Sequence, residues 1–298
     1  MTRVAISGIG GFVGKNLKEY LENFGMVTSA ISRQQLEQGI HDFSDCSTIV
    51  HLAGKAHDLL KTSSAESYYY VNYELTKSLY DVFLKSEVKK FIFISSVKAA
   101  ADSLLGELTE EVNPHPLSDY GKSKLRAERY IESCELPEGK SYYILRPCMI
   151  HGKGNKGNLN LLYKLVRLRI PYPLASFENS RSFLSIENFC FIIKELVVAK
   201  QIESGTYNVA DDHPLSTNQV VTILSKAIGL KPKLWKISPL VVGCAAKFAD
   251  IFKLPFTTEH LTKLTENYVV SNKKVLKAIK KDLPLSATEG LIKSAKSF

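Results

Sequence analysis

The chain reads as an α/β protein: a doubly wound, mostly parallel sheet with helices on both faces, followed by a smaller mixed lobe. Three observations predict this. Through the first half, short β-branched runs alternate with amphipathic helical stretches, the pattern of a parallel sheet wrapped by helices. The run Phe91-Ile92-Phe93-Ile94 is apolar throughout, as strands covered on both faces tend to be. After Pro147 the alternation gives way to glycines, prolines and short helical runs. A first domain over 1–147 and a second lobe over 148–298 are therefore expected.

Taken in order, Arg3-Val4-Ala5-Ile6-Ser7 is the first strand and Gly14 to Asn23 the first helix. Val27 to Ser32 and Thr48 to Leu52 supply two more strands, the latter buried. Ser67 to Lys85 has helical character. Lys90 to Ser95 is the most apolar strand, Leu117 to Cys134 a helix, and Ser141 to Arg146 a strand that stops at Pro147. Gly152, Gly154, Gly157 and Pro171-Tyr172-Pro173 mark loops and short helices. Gly205 to Val209 is again strand-like, so the chain is expected to revisit the sheet near 183–210. Ser216 or Thr217 caps a helix over Asn218–Ile228, and Gly229 stops it. The remainder, rich in Lys and Leu, reads as helical. Its apolar stretch Leu240–Phe252 is interrupted by Lys247 and Asp250 and predicts an amphipathic helix, not a membrane span.

Composition narrows the function classes. Of 298 residues, 45% are hydrophobic and 23% charged, ordinary for a folded globular chain. A net charge of +9 could draw nucleic acid, anionic lipid or a phosphorylated small molecule. No run of Lys and Arg interleaved with aromatics suggests a nucleic-acid groove, so no nucleic-acid partner is expected. Val4-Ala5-Ile6 is too short for a leader or a membrane helix, which points to a cytoplasmic protein without a membrane partner. The five cysteines (46, 134, 148, 190 and 244) are scattered and form no Cys-x-x-Cys pair, so neither a disulfide framework nor a metal site is expected.

Three constellations carry chemistry. Gly8-Ile9-Gly10-Gly11-Phe12-Val13-Gly14 joins the first strand to the first helix. Glycines there permit a tight turn and let backbone N–H groups approach a pyrophosphate at the positive end of the helix. The spacing points to a dinucleotide. Tyr120 and Lys124 lie one helical turn apart and share a face. An ammonium beside a phenol favours phenolate, so a depressed tyrosine pKa suited to acid/base work is expected. Ser95-Ser96 ends the most apolar strand, where ligands bind in open α/β sheets, and could hydrogen-bond a substrate hydroxyl or carbonyl.

With these pieces in this order, the sequence resembles the extended short-chain dehydrogenase/reductase superfamily, in its nucleotide-sugar epimerase/dehydratase branch, over nearly the whole chain. The resemblance implies a Rossmann-type first domain that binds NAD or NADP. By this likeness Gly8, Gly11, Phe12, Val13 and Gly14 hold the diphosphate, and Asp42 and Phe43 flank the adenine. Leu52, Ala53 and Gly54 line the dinucleotide, and Asn72 braces the loops around it. Ser96, Tyr120 and Lys124 match the catalytic set. Pro147 stands beside the nicotinamide in a turn whose usual tyrosine is replaced by His151. Without a carboxylate paired to it in the sequence, His151 reads as a packing variant. Asn158 and Arg181 resemble the residues that hold a sugar diphosphate, and Leu168 to Leu174 the segment that cradles a uracil. Ser95-Ser96-Val97-Lys98 matches the opening of a stretch found in members acting on UDP-linked hexoses, which makes Lys98 a substrate-binding candidate. Ala101 departs from that stretch, standing where glycine is usual.

The resemblance implies hydride transfer at carbon 4 of a UDP-hexose or UDP-deoxyhexose, with Tyr120 handling the hydroxyl proton. Two outcomes share this machinery: epimerisation with a retained cofactor, or net reduction of a 4-keto sugar by NADPH. NAD enzymes commonly carry an acid at the end of the second strand for the ribose 2′-hydroxyl. Here Ile31-Ser32-Arg33 offers a cation, which favours NADP and adds Ser32 and Arg33 to the cofactor residues. A non-catalytic dinucleotide sensor is the alternative from another class, and the intact Tyr120/Lys124 pair argues against it. The family likeness also implies a homodimer through the 67–85 and 117–134 helices.

Overall fold

The computed structural model describes residues 2–39, 43, 45–55, 64–103, 105–155, 158–252 and 257–297. Strands β1 (Arg3–Ser7), β2 (Val27–Ile31), β3 (Thr48–His51), β4 (Lys90–Ile94), β6 (Ser141–Pro147) and β9 (Gly205–Val209) form one sheet in the order β2-β1-β3-β4-β6-β9. Every pairing in it is parallel. The strand order reverses direction between β1 and β3, where Ser7 lies opposite His51. Crevices at such a switch point are where open parallel sheets take ligands.

Because side chains alternate along a strand, the sheet divides its residues between two cores. Val4, Ile6, Val50, Ile92 and Ile94 face one side with Leu17 and Leu21 of α1 (Phe12–Asn23) and Phe189 of α7 (Ile186–Val198). Ala5, Ile49, Phe91, Phe93 and Ile144 face the other. There they meet Leu36 of α2 (Arg33–Gln38), Leu79, Tyr80 and Phe83 of α4 (Leu75–Lys85), and Ile131 of α5 (Asp119–Ser133).

Several elements differ from expectation. The first helix starts at Phe12, so Gly14 lies inside it. The second, third and fourth strands each end one residue earlier than expected, and Pro147 belongs to β6. Helix α2 is unforeseen. Ser32 caps it, and Gln35 returns the favour by accepting from the Ser32 N–H at 2.8 Å. The 67–85 helix is not uniform: α3 (Ala65–Tyr69) passes through a π turn at Tyr70–Glu74 before α4 resumes.

Of the expected return near 183–210, β9 joins the main sheet, whereas β8 (Phe183–Ser185) pairs with β7 (Met149–His151) in a separate ribbon. The short β5 (Glu107–Leu108) pairs with β10 (Val269–Val270). A third core gathers Leu159 and Tyr163 of α6 (Asn158–Arg167), Val220 of α8 (Thr217–Ala227) and Leu291 of α12 (Ala287–Ser297). Helices α9 (Pro239–Ile251), α10 (Thr258–Thr265) and α11 (Lys273–Ile279) complete the lobe. The lobes nonetheless share a core, since Leu184, Phe189, Tyr207 and Val275 belong to the same cluster as Val4 and Leu17. No helix among the described residues is long and apolar enough to cross a membrane.

Candidate active site

The glycine loop occupies the switch point. Gly8 has φ +72°, and a Cβ on it would sit 2.8 Å from the Ala53 nitrogen. A side chain there would push the loop after β3 away. Gly14 is tighter still, with a Cβ reaching 2.3 Å from the Gly8 carbonyl oxygen. Gly11 N donates to that same oxygen at 3.0 Å and closes the turn. Around Gly10, by contrast, a Cβ would meet nothing within 4 Å.

Serine side chains cap α2, α3, α5, α7 and α8. Helix α1 has Gly11 at its N-cap, with no side-chain cap and no acid in its first turn. Its first N–H groups and the positive end of its dipole are thereby left for an anion, and Phe12, Val13 and Gly14 form that turn. The cradle fits a dinucleotide diphosphate.

The wall of the crevice is held by a polar chain running under the loop. Ala53 N donates to Ser7 Oγ (3.1 Å), Ser7 Oγ lies 2.6 Å from His51 Nδ1, and His51 Nε2 lies 3.0 Å from Thr76 Oγ1. Thr76 Oγ1 then donates to the Asn72 carbonyl at 2.9 Å. With both ends fixed, one assignment satisfies every group: Ser7 donates to Nδ1, and a neutral imidazole donates from Nε2. Burial, with the nearby Lys124 charge, pushes the His51 pKa down to about 3, consistent with the neutral ring.

Asn72, aimed inward from the π turn, grips the Lys55 backbone at both ends. It accepts from Lys55 N (2.8 Å) and donates to the Lys55 carbonyl (3.1 Å). It also donates to Ser123 Oγ at 3.1 Å, which ties the loop to α5. Gly54 leaves room for this, since a Cβ on it would crowd Lys124 Nζ (3.0 Å) and Asn72 Oδ1 (3.1 Å).

Beyond β4 the two serines part company. Ser95 is buried and donates at 2.5 Å to Glu128 Oε1. That carboxylate also accepts from Arg146 Nε (3.0 Å) and Nη2 (2.5 Å), an ion pair buried on both sides. Ser96 turns toward Tyr120 and hydrogen-bonds it. The approach is enforced from below. Asp102 accepts from Leu117 N (2.6 Å) and Ser118 N (3.0 Å), pinning the start of α5. Gly121 then lies so close to the Lys98 carbonyl that a Cβ would come within 2.3 Å of it.

The phenol of Tyr120 sits above its ordinary pKa, contrary to the expected depression. Burial raises it most, Tyr68 and Glu128 add to the rise, and the Ser96 hydrogen bond opposes. Burial also pushes the Lys124 ammonium down to about 8, partly offset by Glu128. Its Nζ donates to the Ile94 carbonyl at 2.9 Å, 4.8 Å from the Phe93 ring centre. Ser96, Tyr120 and Lys124 thus converge at the carboxyl end of β4, against the loop that Asn72 holds.

Other expected residues have different surroundings. Lys98, expected to bind substrate, turns its amine to the Asp102 carbonyl (2.6 Å) and over the Tyr268 ring (4.5 Å). Tyr268 in turn donates to the Ala101 carbonyl at 2.6 Å. Arg181 is bridged through its backbone to Leu215 and Tyr268, and its charge is felt by Cys148, Tyr172 and Tyr268. Leu174 is 4% exposed and packs into the third core, because the 172–175 segment pairs with 233–236.

Arg33 is exposed and paired to Glu37 at 2.8 Å, directly after the Ser32 cap. Phe43 is a core residue beside Ile31 and Leu36. Asp42 and the side chain of Asn158 lie outside the described residues. His151 does have a carboxylate neighbour: it is fully buried, with Nδ1 2.7 Å from Ser294 Oγ and Nε2 3.7 Å from Asp211 Oδ2. It borders a cavity of about 300 Å³ between α1, α7 and α12 that contains none of Ser96, Tyr120 or Lys124. Sequence reasoning passed over His51, Ser7, Thr76, Glu128 and Asp102, whose partners are distant along the chain.

Comparison with known proteins agrees with this geometry. Residues 4–210 match the family model described as the NAD dependent epimerase/dehydratase family. The chain is similar to a UDP-glucose 4-epimerase of Vibrio cholerae, with 30% identity over 318 residues covering 99% of this chain and 95% of the relative. It is likewise 30% identical over 239 residues to an N-acetyl-alpha-D-glucosaminyl-diphospho-ditrans,octacis-undecaprenol 4-epimerase of Escherichia coli O157:H7, covering 77% of this chain and 70% of that one. Among solved structures, the UDP-N-acetylglucosamine 4-epimerase from Bacillus cereus superposes with a TM-score of 0.77 over 99% of this chain and 95% of that one. At 18% identity that last likeness is one of fold.

Proposed function

The chain belongs to the NAD dependent epimerase/dehydratase family, and from that premise we propose that it is a 4-epimerase of a diphosphate-linked hexose, with a UDP-hexose as its substrate class. The observation that carries this reading is the Ser96–Tyr120 hydrogen bond, with Lys124 one turn further along α5, at the carboxyl edge of a parallel sheet.

The dinucleotide would supply hydride exchange at the sugar carbon. Gly8, Gly11 and Gly14 with the α1 terminus hold its diphosphate, and Leu52, Ala53, Gly54 and Pro147 border its length. Tyr120 accepts the hydroxyl proton as the carbonyl forms and returns it on reduction; Ser96 donates a hydrogen bond to that oxygen. Lys124, one turn along the same helix, is the cation assigned to offset the cost that burial places on the phenolate. Arg181 suits the sugar diphosphate, since a guanidinium offers directed donors.

Arg33, which opens α2 just after β2, favours NADP in the absence of an acid at that strand's end and supports a second reading as an NADPH-dependent 4-keto-sugar reductase. A homodimer through the outer faces of α4 and α5 belongs to the same proposal. The test is to incubate purified protein with UDP-glucose, UDP-N-acetylglucosamine and a UDP-4-keto-6-deoxy sugar, with and without NADPH, and to follow products by NMR. Interconversion without net cofactor use supports the epimerase. Stoichiometric NADPH oxidation with the keto sugar moves the assignment to the reductase. Tyr120→Phe should lower kcat by at least about a hundredfold; wild-type turnover in that variant would sink the proton-transfer role.

A further inference from the structure

Helix α9 inverts the usual arrangement of a surface helix. Among its described side chains, those it buries are small: Val242, Ala246 and Ala249, one turn apart. The large ones face out. Leu240 is 82% exposed, Val241 60% and Phe248 55%, and Phe252 just past the helix is 59% exposed. Phe248 and Phe252 pack ring on ring with centroids 4.3 Å apart, outside the core. The helix thus carries a second apolar stripe that packs on no core among the described residues, a feature that marks an interaction surface.

Lysines flank this stripe. Lys231, Lys233 and Lys236 are exposed on the segment leading into α9, and Lys247 is exposed on the helix. The helix's acid, Asp250, is occupied by Thr258, whose N–H and Oγ1 donate to it at 3.0 and 2.7 Å. Trp235, 58% exposed, stands among the lysines. The leading segment is anchored to the lobe, because Trp235 N donates to the Tyr172 carbonyl (2.9 Å) and Ala175 N to the Trp235 carbonyl (3.2 Å).

We propose that α9 and the 231–236 segment form a surface that docks onto a bilayer containing anionic phospholipid. The helix lies in the headgroup plane, with Leu240, Val241, Phe248 and Phe252 turned to the acyl chains and the lysines to the phosphates. A basic rim around large apolar side chains, with a tryptophan at its edge, is what such an interface recognises. A second copy of the chain fits less well. Two-fold contact of this face with itself would set the lysines of one copy against those of the other. With 13 residues α9 lies on a membrane and does not cross it. Ser96, Tyr120 and Lys124 lie elsewhere, so this docking holds or fails apart from the chemistry assigned to them.

The experiment sediments the full chain with vesicles of phosphatidylcholine alone, or mixed with phosphatidylglycerol, and records the emission of Trp235, the only tryptophan in the chain. Binding to the anionic vesicles, a blue shift of Trp235 and weakening by added salt are expected. Phe248→Glu and Leu240→Glu, both at well-exposed positions, should each reduce partitioning by about tenfold or more. Lys233→Gln and Lys236→Gln should each cost about fivefold. Absence of binding, equal binding to neutral vesicles, or binding that survives both apolar substitutions overturns the proposal. Self-association that Phe248→Glu abolishes, without vesicle binding, assigns the face to a second copy instead and equally overturns it.

Discussion

His51 shows how much one side chain can organise. Its two ring nitrogens join Ser7 and Thr76, 44 and 25 residues away in the chain, and so connect β1, β3 and α4 beneath the cofactor crevice. The joint works only with a neutral ring. Because the folded pKa, about 3, lies below the ordinary 6.5, the unfolded chain binds the additional proton between those values. The stability contributed by neutral His51 is therefore complete above about pH 6.5 and is lost as the pH falls toward 3, at about 1.4 kcal/mol per unit. Urea midpoints measured between about pH 7 and pH 4.5 should show that slope, and His51→Gln should flatten it. An unchanged slope would mean that another group titrates. In the sequence His51 is simply a polar residue closing an apolar strand, since nothing local names its partners. Tyr120, Lys124 and Ser96 were legible because helical spacing and a strand end are local signals. The upward shift of Tyr120 was not, because burial is set by the whole fold.

At the level of elements, the π turn between α3 and α4 gives Asn72 its aim. The extra residue in the turn re-phases the helix, and such turns often occur at functional positions. Asn72→Ala would strip the Lys55 N–H and carbonyl of their partner and free the loop after β3. We expect dinucleotide affinity by calorimetry to fall about tenfold or more, with little change in helix content; unaltered affinity would reduce Asn72 to a packing residue. The helix itself was legible from periodicity, but the turn was not. Tyr68, Asn72, Leu75 and Leu79 remain three or four residues apart and imitate a regular helix. Helix α2 escaped for another reason: six residues are too few for a period, although Ser32 and Gln35 make the same reciprocal cap as Ser216 and Gln219. The bridge between Leu174 and Lys236 was not legible either, because an apolar loop and a buried bridge have the same composition.

Across the whole molecule, the first core takes residues from both sides of Pro147, while the third lies wholly beyond it. A change of character after Pro147 is plain in the sequence. The return of α7, β9 and α11 to the first core depends on contacts that no local pattern encodes. Helix α12 also anchors the β7–β8 ribbon, with Gly290 packed on Ser185 and Ser294 bonded to His151. Unfolding should therefore be a single event. Trp235 fluorescence, reporting from the second lobe, and far-ultraviolet circular dichroism should give coincident denaturation curves; separate midpoints would show that the lobes melt independently. The shared core also has a kinetic side. Strand β9 reaches β6 from a segment 62 residues further along the chain, so this edge of the sheet closes through a slow, non-local encounter. Until it does, Tyr143 to Pro147 presents an open row of backbone donors and acceptors on an apolar strand. During that interval, one unfinished chain can be mistaken by another for its own last strand.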